Sequence, residues 1–318
     1  LNGKIKKDDL KTAVTCYPMA TTLKDEYPVV EQATRLQPME NVLLKIDDKQ
    51  HMEEHMLFAD STVFDIFTMP FIHGDPKAAL NKPNKAVLTR SAAKRYFGNE
   101  NPVGKMIEWV DGNHQLEVTG IIEDCRENNH FQYNVLVSFS TSSRANSQLW
   151  IGNNVYTYLE LQKGDSPEKL TGQFPSLVKK YVGPQIEKAM GVSMDEFNEQ
   201  GNQWGYFLQP LTDIYLHSDL NNELGTTGNI NNVYFFSLIA LFIIVIAAIN
   251  FMNVSTAKSA NRAKEVGIRK VSGSNRRQLI GQFLSEAILI SFIALLVALL
   301  LVKFTLPFFN NLAQKSLS

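Results

Sequence analysis

The chain has 318 residues, 44% of them apolar, with 31 Lys and Arg against 32 Asp and Glu and a net charge of −1. That balance offers no general cationic surface for nucleic acid, and the averages alone suit an ordinary soluble protein. They conceal two regions: residues 1–232 carry 22 Lys/Arg and 30 Asp/Glu, a net of −8, and apolar runs dominate the remainder.

In chain order, Thr21–Tyr27 reads as a helix entered through a Thr cap and stopped by Pro28, with Val29–Leu36 extended beyond it. Met56–Met69 reads as a strand followed by a short helix or turn. Lys85–Leu88 is strand-like, and Ser91–Phe97 is a short helix ending at Gly98, where a left-handed residue is favourable. Asp111-Gly112-Asn113 between Met106–Val110 and Gln115–Ile122 is a hairpin signal. Asn134–Phe139 and Asn154–Leu161 read as strands, Pro167–Tyr181 as an amphipathic helix, and Tyr206–Leu216 as extended. The mixture predicts an α+β domain, long enough to bury a core. Cys16 and Cys125 make no disulfide framework and are expected to be unpaired or buried thiols.

Val233–Val254 has twenty-two residues without a charge. As a helix it measures about 33 Å, against about 30 Å for a bilayer's hydrocarbon core. A second apolar run, Ala287–Val302, is flanked by Glu286 and Lys303. Between the runs, Lys258–Gln278 holds seven basic residues (Lys258, Arg262, Lys264, Arg269, Lys270, Arg276, Arg277) against one acid, Glu265. Short Lys/Arg-rich loops stay in the cytoplasm. The connector is therefore expected inside, and residues 1–232 outside the cytoplasm. Gly273 should break the helix that continues from the first run. Asn275, with Gln278 three residues on, should cap the next, making a helix-break-helix elbow. Asn250 and Asn253 near the inner end of the first run are amides suited to bonding neighbouring membrane helices.

Catalytic motifs are scarce. His51-Met-Glu-Glu54-His55 fits the H-x-x-E-H pattern of inverted zinc proteases, but it lies between a polar turn and a strand-like run, with no third ligand in view. No phosphate-cradling glycine motif and no G-x-S-x-G elbow is present. The chain is expected to be non-catalytic, with no metal site and no cofactor of its own.

The stretch Arg262-Ala-Lys264-Glu265-Val-Gly267-Ile-Arg269-Lys270-Val-Ser272-Gly273-Ser-Asn-Arg276-Arg277-Gln278-Leu, then Gln282-Phe-Leu-Ser-Glu286-Ala, resembles the cytoplasmic signature of MacB/FtsX-type ABC-transporter permeases. Ser272 departs from it, since relatives usually carry an apolar residue there. In the outer domain, Gly74-Asp75-Pro76, Val87-Leu-Thr-Arg90-Ser-Ala-Ala-Lys94-Arg95-Tyr96-Phe97-Gly98, Asn101-Pro102-Val103-Gly104-Lys105 and Gln209-Pro210-Leu-Thr-Asp213 resemble the MacB-like periplasmic core domain.

The resemblance implies a permease subunit that forms a homodimer or pseudo-dimer in the lipid bilayer. It implies a separate ABC-type ATPase carrying ATP and Mg, and for some members a membrane-fusion protein. Coupling to the ATPase would run through Arg262, Lys264, Glu265, Gly267, Arg269, Lys270, Gly273, Arg276 and Arg277. The implied architecture is a porter-like subdomain (about 1–45 and 142–232) with an insert (about 46–141), membrane helices at about 233–257 and 281–303, and a coupling elbow at 258–280. Further membrane helices are expected before Leu1 and after Ser318. Members of the family export toxins, antibiotics or peptides, move lipoproteins or control cell-wall hydrolases by mechanotransmission. The competing expectation is a membrane-anchored extracytoplasmic ligand sensor.

Overall fold

The computed structural model describes residues 2–5, 8–126, 128–271, 273 and 275–313. The chain divides into two compact units, Leu1–Asn232 and Val233–Ser318.

The first unit is organised by one mixed sheet. Its strands follow the order Thr15–Cys16, Asn153–Leu161, Val30–Met39, Met56–Ala59, Val135–Ser138, Lys85–Thr89, His114–Ile122, Met106–Trp109, Val42–Ile46 and Lys49–Glu53; Phe71–His73 also pairs with His114–Ile122. The central strands Met56–Ala59 and Val135–Ser138 are buried along their whole length, and they pair in parallel. A strand covered on both faces reads as a continuous apolar run. Because side chains alternate, each strand feeds two cores. Met56, Phe58, Leu88, Val135 and Val137 pack on one side, under Ala92, Ala93 and Tyr96 of the helix Arg90–Phe97. Leu57, Ala59, Val87 and Leu136 pack on the other, with Val63, Leu80 and Phe131. A third core, built on Leu23, Trp150, Phe174, Leu177 and Phe197, lies under the helices Met19–Glu26 and those of residues 167–199.

The strands of residues 46–141 continue the same sheet as those on either side of them in the chain. One internal ion pair staples this sheet. Arg35 makes a bidentate pair with Asp60 at 2.8 and 2.9 Å, donates to the carbonyls of Tyr17 and Ala145, and lies over the Phe139 ring at 4.1 Å.

The hairpin forms where its turn residues required, with Trp109 opposite His114 and Asn113 at φ 52°. The helix ending at Gly98 also forms, its cap at positive φ, 65°, with ψ −125° rather than the left-handed helical value. Three expectations are corrected. The first helix starts at Met19 rather than Thr21; no side chain caps it, and Thr21 Oγ1 instead donates back to the Pro18 carbonyl. Pro167–Tyr181 is not one helix but the turns Pro167–Thr171 and Phe174–Leu177 and a wide turn Val178–Val182, leading into Gly183–Met190. Gly172 and Pro175 break the ladder, while Leu170, Phe174 and Leu177 still bury against the third core. Of Tyr206–Leu216, residues Leu211–His217 are helical, started by Pro210.

The second unit carries the long helix Ile230–Val271, which starts just inside the first unit, and the helix Arg276–Ala313. Segments Ile230–Lys258 and Arg277–Leu312 are long and apolar enough to cross a membrane.

Candidate functional site

The elbow between these helices is the feature that the sequence singled out. At 42 residues the first helix is about 63 Å long, so it continues about 20 Å past Lys258 before stopping at Val271. Gly273 adopts φ 92°, a conformation that side-chain-bearing residues avoid, and this turns the chain. The next helix is then re-started at Asn275. Its carbonyl accepts from Gln278 N–H at 3.0 Å, and its own N–H donates to Gln278 Oε1 at 3.3 Å, one limb of a capping box. One helix thus ends at Val271 and the next is capped afresh at Asn275, with Gly273 between them.

Leu279 is buried and Val266 and Phe283 are half-buried, so the elbow has a packed side. Gly267, Ile268, Val271, Gly273 and Arg277 are exposed. Arg262, Lys264, Glu265, Arg269 and Lys270 lie on the helical backbone, and Arg276 opens the second helix; their side chains, and Ser272 entirely, lie outside the described residues. Asn250 and Asn253 are exposed on the first helix of this single chain.

The His51–His55 pentapeptide is not helical. His51 lies in the edge strand Lys49–Glu53, where alternation sends Met52 and Glu54 to the face opposite His51 and Glu53. His51 packs on the Tyr96 ring at 5.1 Å, while Glu54 and His55 are exposed. Two histidines of one helical face, which zinc chemistry of this pattern requires, are therefore not presented.

The residue of consequence here is Glu53, which sequence reasoning missed because it lies inside a motif with a louder reading. Its side chain is 1% exposed and pairs with Arg95 at 2.8 Å. It also accepts from Asn134 Nδ2 at 2.8 Å, from His55 N–H at 3.0 Å and from the Tyr96 hydroxyl. Burial alone would raise its pKa; the bonds from Tyr96, Asn134 and His55, with the Arg95 charge, outweigh that and hold it below the usual range. The cluster fixes the edge strand to the helix Arg90–Phe97 and uses every carboxylate oxygen in doing so.

Comparison with known proteins accounts for both units. The MacB-like periplasmic core domain matches residues 7–177, and the FtsX-like permease C-terminal domain matches residues 237–318. The chain belongs to the MacB-like ABC transporter permease family. It is a membrane protein of that family, with two apolar helices after a periplasmic-type domain.

This permease-family chain is 25% identical over 217 residues to the macrolide export ATP-binding/permease protein MacB of Aggregatibacter actinomycetemcomitans, covering 68% of this chain and 29% of that protein. It is 22% identical over 218 residues to the ABC transporter permease YknZ of Bacillus subtilis, covering 67% of this chain and 46% of that one. The chain thus spans under a third of the MacB relative. A solved domain of a protein described as a permease, from Porphyromonas gingivalis, shares the fold with a TM-score of 0.56 at 22% identity, covering 66% of this chain and 86% of that one.

Proposed function

We propose that this chain is a non-catalytic permease subunit, in which the elbow 258–280 receives the movement of a separate ATP-hydrolysing subunit and the helix Ile230–Val271 carries it toward the outer domain. ATP and Mg would sit on the partner. The observation that carries this reading is the continuous helix to Val271, followed by Gly273 at φ 92° and a second helix capped afresh at Asn275. A bend of this kind moves as a unit, whereas a slack linker would absorb a displacement of a few Å. Exposed Ile268 and Val271 set among the elbow's basic residues support protein docking over simple attachment to anionic headgroups, which would need charge alone.

The basic elbow supports a cytoplasmic position in an inner membrane, with residues 1–232 periplasmic. Exposed Asn250 and Asn253 fit hydrogen bonding to a second permease copy in the bilayer, as a homodimer or pseudo-dimer requires. We assign the third core to the porter-like subdomain (about 1–45 and 142–232); the Met56–Phe58–Leu88 core joins residues of the insert (about 46–141) to Tyr17, Val42, Leu44 and Val155 of that subdomain. The printed names of the MacB relatives, macrolide export ATP-binding/permease proteins, support export as the activity; a membrane-fusion protein, which the family resemblance implies for some members, would be a further partner.

The test is ATP hydrolysis by the partner subunit in membranes holding this chain. Gly273→Val, which forces a β-branched residue to φ 92°, and Arg269→Ala should each cut permease-dependent stimulation about tenfold or more, with unchanged membrane insertion. Stimulation equal to that of the unaltered chain in both variants would remove the elbow from the mechanism.

A further inference from the structure

Against the outer part of the strand Asn153–Leu161 lies a cavity of about 340 Å³, roofed by residues 207–223. This volume falls in the range of small-molecule sites, roughly 300–1,000 Å³. Most of its wall is aromatic or aliphatic, with Phe67, Tyr158, Leu159, Phe207, Leu211 and Ile214 among the contributors. Among the described residues, Glu223 is the one acidic residue of the wall, and no Lys or Arg lines it.

The polar side of the cavity is built. His130 Nε2 and Tyr158 Oη are bonded at 2.8 Å. Burial lowers the pKa of His130, with Glu223 opposing, so the imidazole is neutral at pH 7. Burial, then the Glu223 charge, pushes the Tyr158 phenol up, so it stays protonated. Glu223 is the carboxylate that faces this neutral pair across the wall. Glu223 is half-buried, and Ser218 Oγ donates to its Oε1. Among the described residues no cation forms an ion pair with it.

The segment bearing Glu223 is tied down just ahead of it, to the strand Asn153–Leu161 and to the stretch of residues 11–13. Tyr156 Oη donates to the Asn222 carbonyl at 2.7 Å, Ala13 N–H to the Asn221 carbonyl at 3.0 Å, and Asn221 N–H to the Lys11 carbonyl at 3.0 Å.

We propose that this cavity binds a small amphiphilic cation: a compact apolar body against Phe67, Phe207 and Leu211, with one protonated amine seated on Glu223. A half-buried carboxylate without a counter-ion gains from a bound cation what an anionic ligand of the same shape would lose. The site also touches the path to the membrane. Leu211 and Ile214 share a short helix with Tyr215, whose carbonyl accepts from Gly228 N–H at 2.7 Å, two residues ahead of the helix Ile230–Val271. The proposal stands apart from the coupling mechanism, since it needs no ATPase and is read on this chain alone.

The experiment is a fluorescence titration of the full chain in phosphatidylcholine nanodiscs with three dyes that share the dansyl body and differ in the charge of the arm: dansylcadaverine (amine), dansylamide (neutral) and dansylglycine (carboxylate). Saturable binding of one dansylcadaverine per chain is expected, about tenfold or more tighter than dansylglycine, because a charge-assisted hydrogen bond is involved. Glu223→Gln should abolish that preference and leave dansylamide unchanged. Glu223→Asp should retain the preference, and Phe207→Ala should weaken all three dyes. Absence of saturable dansylcadaverine binding, or an amine preference that survives Glu223→Gln, overturns the proposal.

Discussion

Gly225 and His130 are packed so closely that a β-carbon at residue 225 would stand 2.0 Å from the His130 carbonyl oxygen. Only a glycine lets the segment 221–228 lie against the loop that carries His130, and this contact brings Glu223 to its place in the cavity wall.

Gly225→Ala should accordingly push that segment off the sheet. The obstacle is backbone, which cannot swing aside as a flexible side chain would. A destabilisation of about 2 kcal/mol is expected, or roughly 5 °C in Tm for a domain of this size. Thermal melting followed by tyrosine fluorescence checks it, with Gly183→Ala as a comparison, since a β-carbon there makes only ordinary contacts, the nearest to Met194 Cβ at 3.6 Å.

Acid should find Glu53. Its folded pKa lies below the unfolded value of about 4.3, so its contribution to stability is complete above that value and is lost as pH falls through the folded pKa. Urea midpoints taken from pH 7 down to pH 3 should fall steeply below about pH 4. Glu53→Gln should flatten that limb and cost about 1–3 kcal/mol at pH 7, because donors from Arg95, Tyr96 and Asn134 lose an ionised acceptor. An unchanged acid limb in the variant would show that other carboxylates govern it.

The two thiols should differ in reactivity. Burial pushes Cys16 up to about 12 against the opposing Tyr206 hydroxyl, and the side chain is fully enclosed. Cys125 is half-buried and only moved upward, by burial first. At pH 8 the thiolate population alone makes Cys16 about a thousandfold slower than an ordinary cysteine. Mass spectrometry after maleimide treatment should find Cys125 modified in the folded protein and Cys16 only in denaturant.

What was legible in the sequence was local. Uncharged length gave the two apolar helices, and the basic run with Gly273 and Asn275 gave the elbow. Asp111-Gly112-Asn113 gave the hairpin, and Gly98 the end of its helix. Each depends on φ preferences or on a single periodicity within a few residues, which long-range packing had no need to override. The failures are also instructive. Gly172 and Pro175 stand inside an amphipathic stretch, and its apolar residues keep their burial while the backbone gives up a single helix. Leu211–His217 alternates weakly in sequence and is helical from Pro210 onward, with Leu211 and Ile214 lining the cavity.

The sequence by itself determined that this protein crosses a membrane, which family it belongs to and where its bend lies, because hydrophobic length, charge placement and turn chemistry act on neighbours in the chain. Only the tertiary structure decided that Glu53, rather than His51 and His55, is the organised group of that motif, and that residues 12, 67, 130, 158 and 223 enclose one cavity. Those groups meet through strand pairings between residues more than a hundred positions apart, such as Tyr156 with Leu36, and burial and charge environment exist only once those pairings have formed.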